Sequence, residues 1–191
     1  MTKRSLRLLA LAVPLYAAFA LAPPTASATR DRPLYAGFGG GPFLFFSSCC
    51  FGEVHGVVTG EFGWHFNHED TGFVMAVEAH TLLGPQYLGF FGGLRLGGDI
   101  EVHGTHEAGI LLRPSGMFGV GLLDYQGPGN TFGMLVFEPA FDVRFVFADR
   151  LLAFWLRPVA FDILLQWDTP SRGAWSVGAA YQALAGFDFQ F

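Results

Sequence analysis

Charge is scarce in this 191-residue chain. Asp, Glu, Lys and Arg together make up 14% of it, against roughly 25% in an ordinary soluble domain. Apolar residues make up 51% and mean hydropathy is +0.38. Intrinsic disorder needs the opposite balance and is excluded. Basic residues number 11 against 16 acidic ones, and lysine occurs once, at Lys3. A nucleic-acid partner is therefore not expected, because it demands a basic face. Long apolar runs are missing too. The best uncharged stretch, 33–52, holds Gly37, Gly39, Gly40, Gly41 and Pro42. Glycine costs about 1 and proline about 3 kcal/mol in a helix interior, so this is no spanning helix. What is abundant is glycine, 26, and phenylalanine, 22, and neither suits a helix bundle.

The first 28 residues read as a targeting segment. Lys3, Arg4 and Arg7 precede an apolar stretch from Leu8 to Ala22, and Ala26-Ser27-Ala28 is an Ala-x-Ala cleavage site. This is the pattern of a bacterial secretory signal peptide, and the apolar stretch is too short and too Pro-interrupted to anchor. The expected organisation is therefore a signal peptide, 1–28, and one domain, 29–191. Cleavage removes three of the 11 basic residues and no acidic one, taking the net charge from −5 to −8.

The rest of the chain alternates. From Gly52 to Asn67 the even positions are Gly52, Val54, Gly56, Val58, Gly60, Phe62, Trp64 and Phe66, while the odd ones include Glu53, His55, Thr59, Glu61 and His65. A period of two is a strand signal. The last stretch repeats it, with Trp175, Val177, Tyr181, Phe187, Phe189 and Phe191 on one face and Ser176, Gln182, Asp188 and Gln190 on the other. Turn compositions divide the chain into eight such stretches: 34–46, 51–67, 73–82, 87–104, 108–124, 132–147, 151–167 and 173–191. All but 73–82 are longer than the ~9–11 residues a tilted spanning strand needs. Only helices and closed barrels can span a bilayer, so the fold class expected is all-β, a closed antiparallel up-and-down transmembrane barrel. Its apolar, large-residue face would meet lipid and its charged, Gly-thinned face would line the lumen. The alternative is a soluble, lipocalin-like ligand-binding barrel with the faces reversed.

Together, the signal peptide, eight alternating strands and the ending Phe187-Asp188-Phe189-Gln190-Phe191 resemble Gram-negative outer-membrane β-barrels of the small OmpA/OmpX type. The resemblance implies an outer-membrane location, with membrane lipid as the surroundings. It also implies that Phe187, Phe189 and Phe191 form the assembly signal read by the barrel-insertion machinery, and that both termini are periplasmic. The chain departs from the family in its short presumed outer loops, which argues against adhesion. It departs again in three internal prolines, at Arg113-Pro114, Glu138-Pro139 and Arg157-Pro158. Either bulges absorb these, or Arg113-Pro114-Ser115-Gly116 is itself a turn and the strands number ten.

Parity places Glu61, Glu78, His80, Arg95, Asp99, Arg113, Glu138, Asp142, Arg144 and Arg157 in the lumen as a charge network, and puts Glu53, His55, His65, Glu101, His103, Asp162 and Asp188 in the lumen with them. His80 is expected near Glu61, Asp99 near Arg113, and Asp142 between Arg113 and Arg157. An eight-stranded barrel is just wide enough to be filled by its own side chains. The network then reads as a salt-bridged polar filling, giving a structural role or narrow passive transport of ions and small solutes. Three Glu-x-His repeats raise a metal reading, with His55, His80, Glu61 and Glu78 as candidate ligands. No cofactor is implied. A lipid A-modifying or other outer-membrane enzyme is the competing activity. It needs a Ser–His–acid set, and serine is scarce beyond residue 28: Ser47, Ser48, Ser115, Ser171 and Ser176. Cys49 and Cys50 are adjacent in an oxidising compartment, and a vicinal disulfide is one of their options. Trp64, Trp155, Trp167, Trp175, Tyr87, Tyr125 and Tyr181 are expected in the interfacial aromatic girdles.

Overall fold

The computed structural model describes residues 32–46, 53–66, 72–85, 87–105, 107–125, 131–168 and 175–191. Residues 1–28, expected to be a targeting segment, and Cys49-Cys50 lie outside these residues. The alternating stretches become eight strands: β1 (Leu34–Phe45), β2 (Val54–His65), β3 (Gly72–Leu83), β4 (Tyr87–Gly104), β5 (Gly109–Tyr125), β6 (Thr131–Phe147), β7 (Leu152–Asp168) and β8 (Trp175–Gln190). Each pairs antiparallel with the next, and β8 returns to β1 to close the barrel. We call the end that carries Leu34 and Gln190 proximal and the other distal.

The register fixes the geometry. A path across the strands leaves β1 at Tyr35 and crosses Gly63, Ala76, Arg95, Met117 and Glu138. It continues through Asp162 and Ala180 and returns to β1 at Phe45, ten residues further on. With ~3.3 Å per residue and ~4.8 Å between strands, a shear of ten over eight strands gives a tilt of about 40° and a radius of about 8 Å.

The prolines behave in two ways. Arg113-Pro114-Ser115-Gly116 runs straight through β5, paired with Asp142 to Pro139 of β6, so it is not a turn and the strands are eight. Pro158 sits in a bulge of β7, where pairing with β8 jumps from Arg157↔Leu184 to Ala160↔Gln182. That bulge shifts the inward parity of β7 from odd positions (Ala153, Trp155, Arg157) to even ones (Ala160, Asp162, Leu164). Tyr181 donates its hydroxyl to the Pro158 carbonyl, which the bulge leaves outside the regular ladder. A second bulge in β4 lies between Glu101 and His103.

Two expected girdle residues are displaced by this geometry. Trp155 shares parity with Arg157 and is buried in the lumen, 2% exposed. Its indole rests where Gly39 and Gly186 carry no side chain, and a Cβ at either glycine would collide with it. The glycine-rich β1 is thus in part a seat for bulky lumen groups. Tyr181 caps the bulge near the middle of β8 and not at a rim. Trp64 is where expected, exposed near the proximal end and stacked on Phe66. Trp167, near the distal end of β7, lies over Gly133. Tyr87, Tyr125 and Trp175 stand at the distal strand ends.

The β6–β7 connection takes three consecutive non-glycine residues through left-handed backbone, Ala148 (φ 55°), Asp149 (φ 55°) and Arg150 (φ 61°). Each such residue costs about 1–2 kcal/mol. The turn is tied down from outside. Arg32 donates to the Asp149 carbonyl at 3.0 Å, and Arg150 donates to Glu101 at 3.0 Å and to the Thr105 carbonyl at 3.2 Å.

Candidate functional site

The barrel is apolar outside and charged inside. Outward positions such as Phe118 (63% exposed), Val120, Val77, Ile163 and Val177 (72%) form the wall. Inward positions bury seven carboxylates (Glu61, Glu78, Asp99, Glu138, Asp142, Asp162 and Asp188) against four guanidiniums (Arg95, Arg113, Arg144 and Arg157), with His55, His65 and His80. Buried charge of this kind is tolerable only when paired.

The pairing is dense. At the proximal mouth Arg113 grips Asp99 with two hydrogen bonds, both 2.6 Å. It also donates to the Tyr35 hydroxyl at 2.8 Å and lies 3.4 Å from Glu61. Tyr35 in turn donates to Glu61, and its ring lies beneath the Arg113 and Arg144 guanidiniums. His65 meets Asp99 at 3.0 Å, and Arg144 pairs with Asp188. One layer further in, Arg157 grips Asp142 at 2.7 and 3.2 Å and reaches Glu78 at 2.8 Å and Glu138 at 3.4 Å. Arg95 bonds Glu78, Glu138 and, at 2.9 Å, Ser115. Thr59 donates to Glu78 at 3.0 Å. Above them the Gln182 amide donates to Glu138 at 2.7 Å and to both oxygens of Asp162 at 3.2 and 3.0 Å.

Every charged residue placed in the network by parity is therefore buried there except those near the ends of the strands. Glu101 and His103 are exposed at the proximal rim, where β4 continues past its last pair with β3, Gly72↔Asp99. Glu53 sits at the distal rim against His55, 3.4 Å away. Asp99 meets Arg113 as expected, and Asp142 meets Arg157. His80 meets Glu78 (3.2 Å) and Glu138 (3.8 Å). Of the four candidate metal ligands only Glu78 and His80 meet. His55 lies at the distal end against Phe45, Glu61 is held by Tyr35 and Arg113, and Glu78 is enclosed by Arg95 and Arg157. No group of three or more His, Cys, Asp or Glu among the described residues could hold a metal ion. Of the two serines among them, Ser115 is taken by Arg95 and Ser176 is exposed at the start of β8.

A uniformly polar lumen is not what the strands enclose. The distal part is filled by one apolar cluster with members from every strand, among them Phe43, Phe45, Val57, Leu82, Phe91, Leu123, Met134, Leu164 and Ala180. His80 marks its boundary, with its ring stacked flat on Phe91 at 4.5 Å. Parity could not reveal this layer, because both faces of the strands are apolar there. Tyr35, Thr59, Ser115 and Gln182 were likewise not singled out. Their only signal is membership of the inward parity.

Closed barrels of this build recur among solved structures. One is neisserial surface protein A, with a TM-score of 0.55 and 8% identity over 83% of this chain and 97% of that one. Another is the N-terminal beta-barrel domain of Pseudomonas aeruginosa OprF, with a TM-score of 0.53 and 12% identity over 82% and 97%. The chain is an eight-stranded antiparallel β-barrel, of the fold these two share. No protein-family model and no curated protein matches the sequence. The barrel's chemistry must accordingly be read from its own residues.

Proposed function

We propose that this barrel is an integral protein of a Gram-negative outer membrane, with a structural role and a lumen that is closed in the resting state. The observation that carries the reading is the inverted partition: large apolar side chains outside, ion pairs inside. In water that arrangement would expose an apolar wall far larger than a soluble monomer tolerates. In a bilayer the same wall is the matching surface, and the closed ladder leaves no strand edge in lipid. The targeting segment, and the ending Phe187, Phe189 and Phe191 for the barrel-insertion machinery, support the location. The closed state is supported by the packed apolar layer at the distal end and the paired charges beneath it.

The test is fractionation with gel mobility. The protein should stay with outer-membrane pellets through carbonate washing and run faster unboiled than boiled. In planar bilayers the wild-type barrel should carry no steady current. Release by carbonate would favour the soluble ligand-binding barrel, and a steady wild-type current would favour passive transport.

A further inference from the structure

Seven polar side chains of the proximal and central lumen, His65 (Nδ1) among them, have buried atoms without a protein hydrogen-bond partner. The others are Arg144 (Nε), Asp188 (Oδ1), Trp155 (Nε1), Gln182 (Oε1), His80 (Nδ1) and Gln190, with both its amide atoms. Buried polar groups do not stay unpaired in native proteins, and water is the partner left to them. These atoms run from the proximal mouth, at Gln190, to the level of His80 and Gln182; the next buried polar side chain of the lumen, His55, lies at the distal rim against Glu53, 3.4 Å away. Between His80 and that rim the filling is Phe43, Phe45, Leu82, Phe91, Met134 and Leu164, which offers water nothing to bond. That part of the lumen from the mouth to His80 is also acidic, since its carboxylates outnumber its guanidiniums by seven to four.

We propose that the lumen from the proximal mouth to the level of His80 and Gln182 is a hydrated vestibule for small inorganic cations, and that the distal apolar layer is the barrier that makes it a dead end. The inference rests on the membrane-barrel reading above and adds what closes the lumen and which ions it admits. Apolar constrictions block ions by shedding water, while an excess of carboxylates favours cations over anions. The ion pairs brace the vestibule; the apolar layer seals it.

The experiment uses the full mature chain, refolded into lipid, with a Phe43→Ala/Phe91→Ala variant and a Leu82→Ser/Leu164→Ser variant. In planar bilayers under a potassium chloride gradient the wild type should be silent. Either variant should gain a current whose reversal potential is displaced toward that of potassium. A variant that keeps the fast unboiled mobility yet stays silent overturns the proposal, as does a chloride-selective current. A second measurement does not depend on those variants folding. Ser115→Cys, with Cys49 and Cys50 replaced by serine, should be labelled by a small cationic thiol reagent added on the side bearing the termini. It should not be labelled from the other side. Equal labelling from both sides, or none from either, overturns the proposal. If even the wild type neither inserts into vesicles nor shows the mobility shift, the membrane reading itself fails, a result distinct from these.

Discussion

Arg113 is the side chain whose loss should cost the barrel most clearly. Its guanidinium holds Asp99 through two bonds of 2.6 Å, with both groups buried. In Arg113→Met, Asp99 keeps only His65, and Glu61 keeps Tyr35. Removing one partner of a buried pair strands a charge and costs about 3–5 kcal/mol, whereas replacing both by apolar groups of similar size is close to neutral. The double variant Arg113→Met/Asp99→Leu should therefore recover at least about half of that loss. Urea titration of the refolded protein in lipid vesicles, read by the fraction that migrates fast unboiled, gives the numbers. With a slope of about 1–3 kcal/mol per molar, a loss of 3 kcal/mol lowers the midpoint by about 1 M or more. Two results would refute the reasoning. One is a single-variant loss below about 1 kcal/mol, the size of an exposed ion pair. The other is a double variant no more stable than the single.

Three further outcomes follow from the fold. Phe118→Arg, mid-strand on the apolar wall, should destabilise the vesicle-embedded barrel by about 2–4 kcal/mol, and no loss in the same urea titration would mean that the wall does not face lipid. Tyr181→Phe strips the Pro158 carbonyl of its donor and should cost about 1–3 kcal/mol; an unchanged midpoint would show that the bulge needs no cap. Ala148→Gly relieves one of the three left-handed residues and should raise the midpoint by the equivalent of up to about 1 kcal/mol. A lowered midpoint would contradict the strain assigned to that turn.

Where one face of a strand is apolar and the other polar, alternation alone placed the side chains. Glu61 against Phe62, Arg95 against Leu96, Glu138 against Phe137 and Asp188 against Phe189 all turned as their parity required. The signal vanishes where neighbours are alike. Leu82 and Leu83, Phe90 and Phe91, Leu122 and Leu123, and Leu164 and Leu165 each send one member inward and the other outward. No hydrophobic pattern distinguishes them, so the apolar layer stayed invisible. Trp155 was misplaced for another reason, because tryptophan suits a membrane interface as well as a cramped lumen; its shared parity with Arg157 was the better guide. Partners across a turn, such as Asp99 with Arg113, were legible from hairpin pairing. Partners on strands that are not neighbours, such as Arg157 with Glu78, depend on the shear of the closed barrel, which no local pattern encodes.

Those distant partners gauge the width of the molecule. Arg157 of β7 reaches Glu78 of β3, Arg113 of β5 reaches Tyr35 of β1, and His65 of β2 meets Asp99 of β4, each across the bore at about 3 Å. One strand more would widen the bore by about 2 Å, enough to pull such contacts out of hydrogen-bonding range. A sheet still unrolled, or closed with a strand too few or too many, would keep its charges and lose their counterparts. The filling thus acts as a caliper, and only the eight-membered ring at this stagger satisfies it.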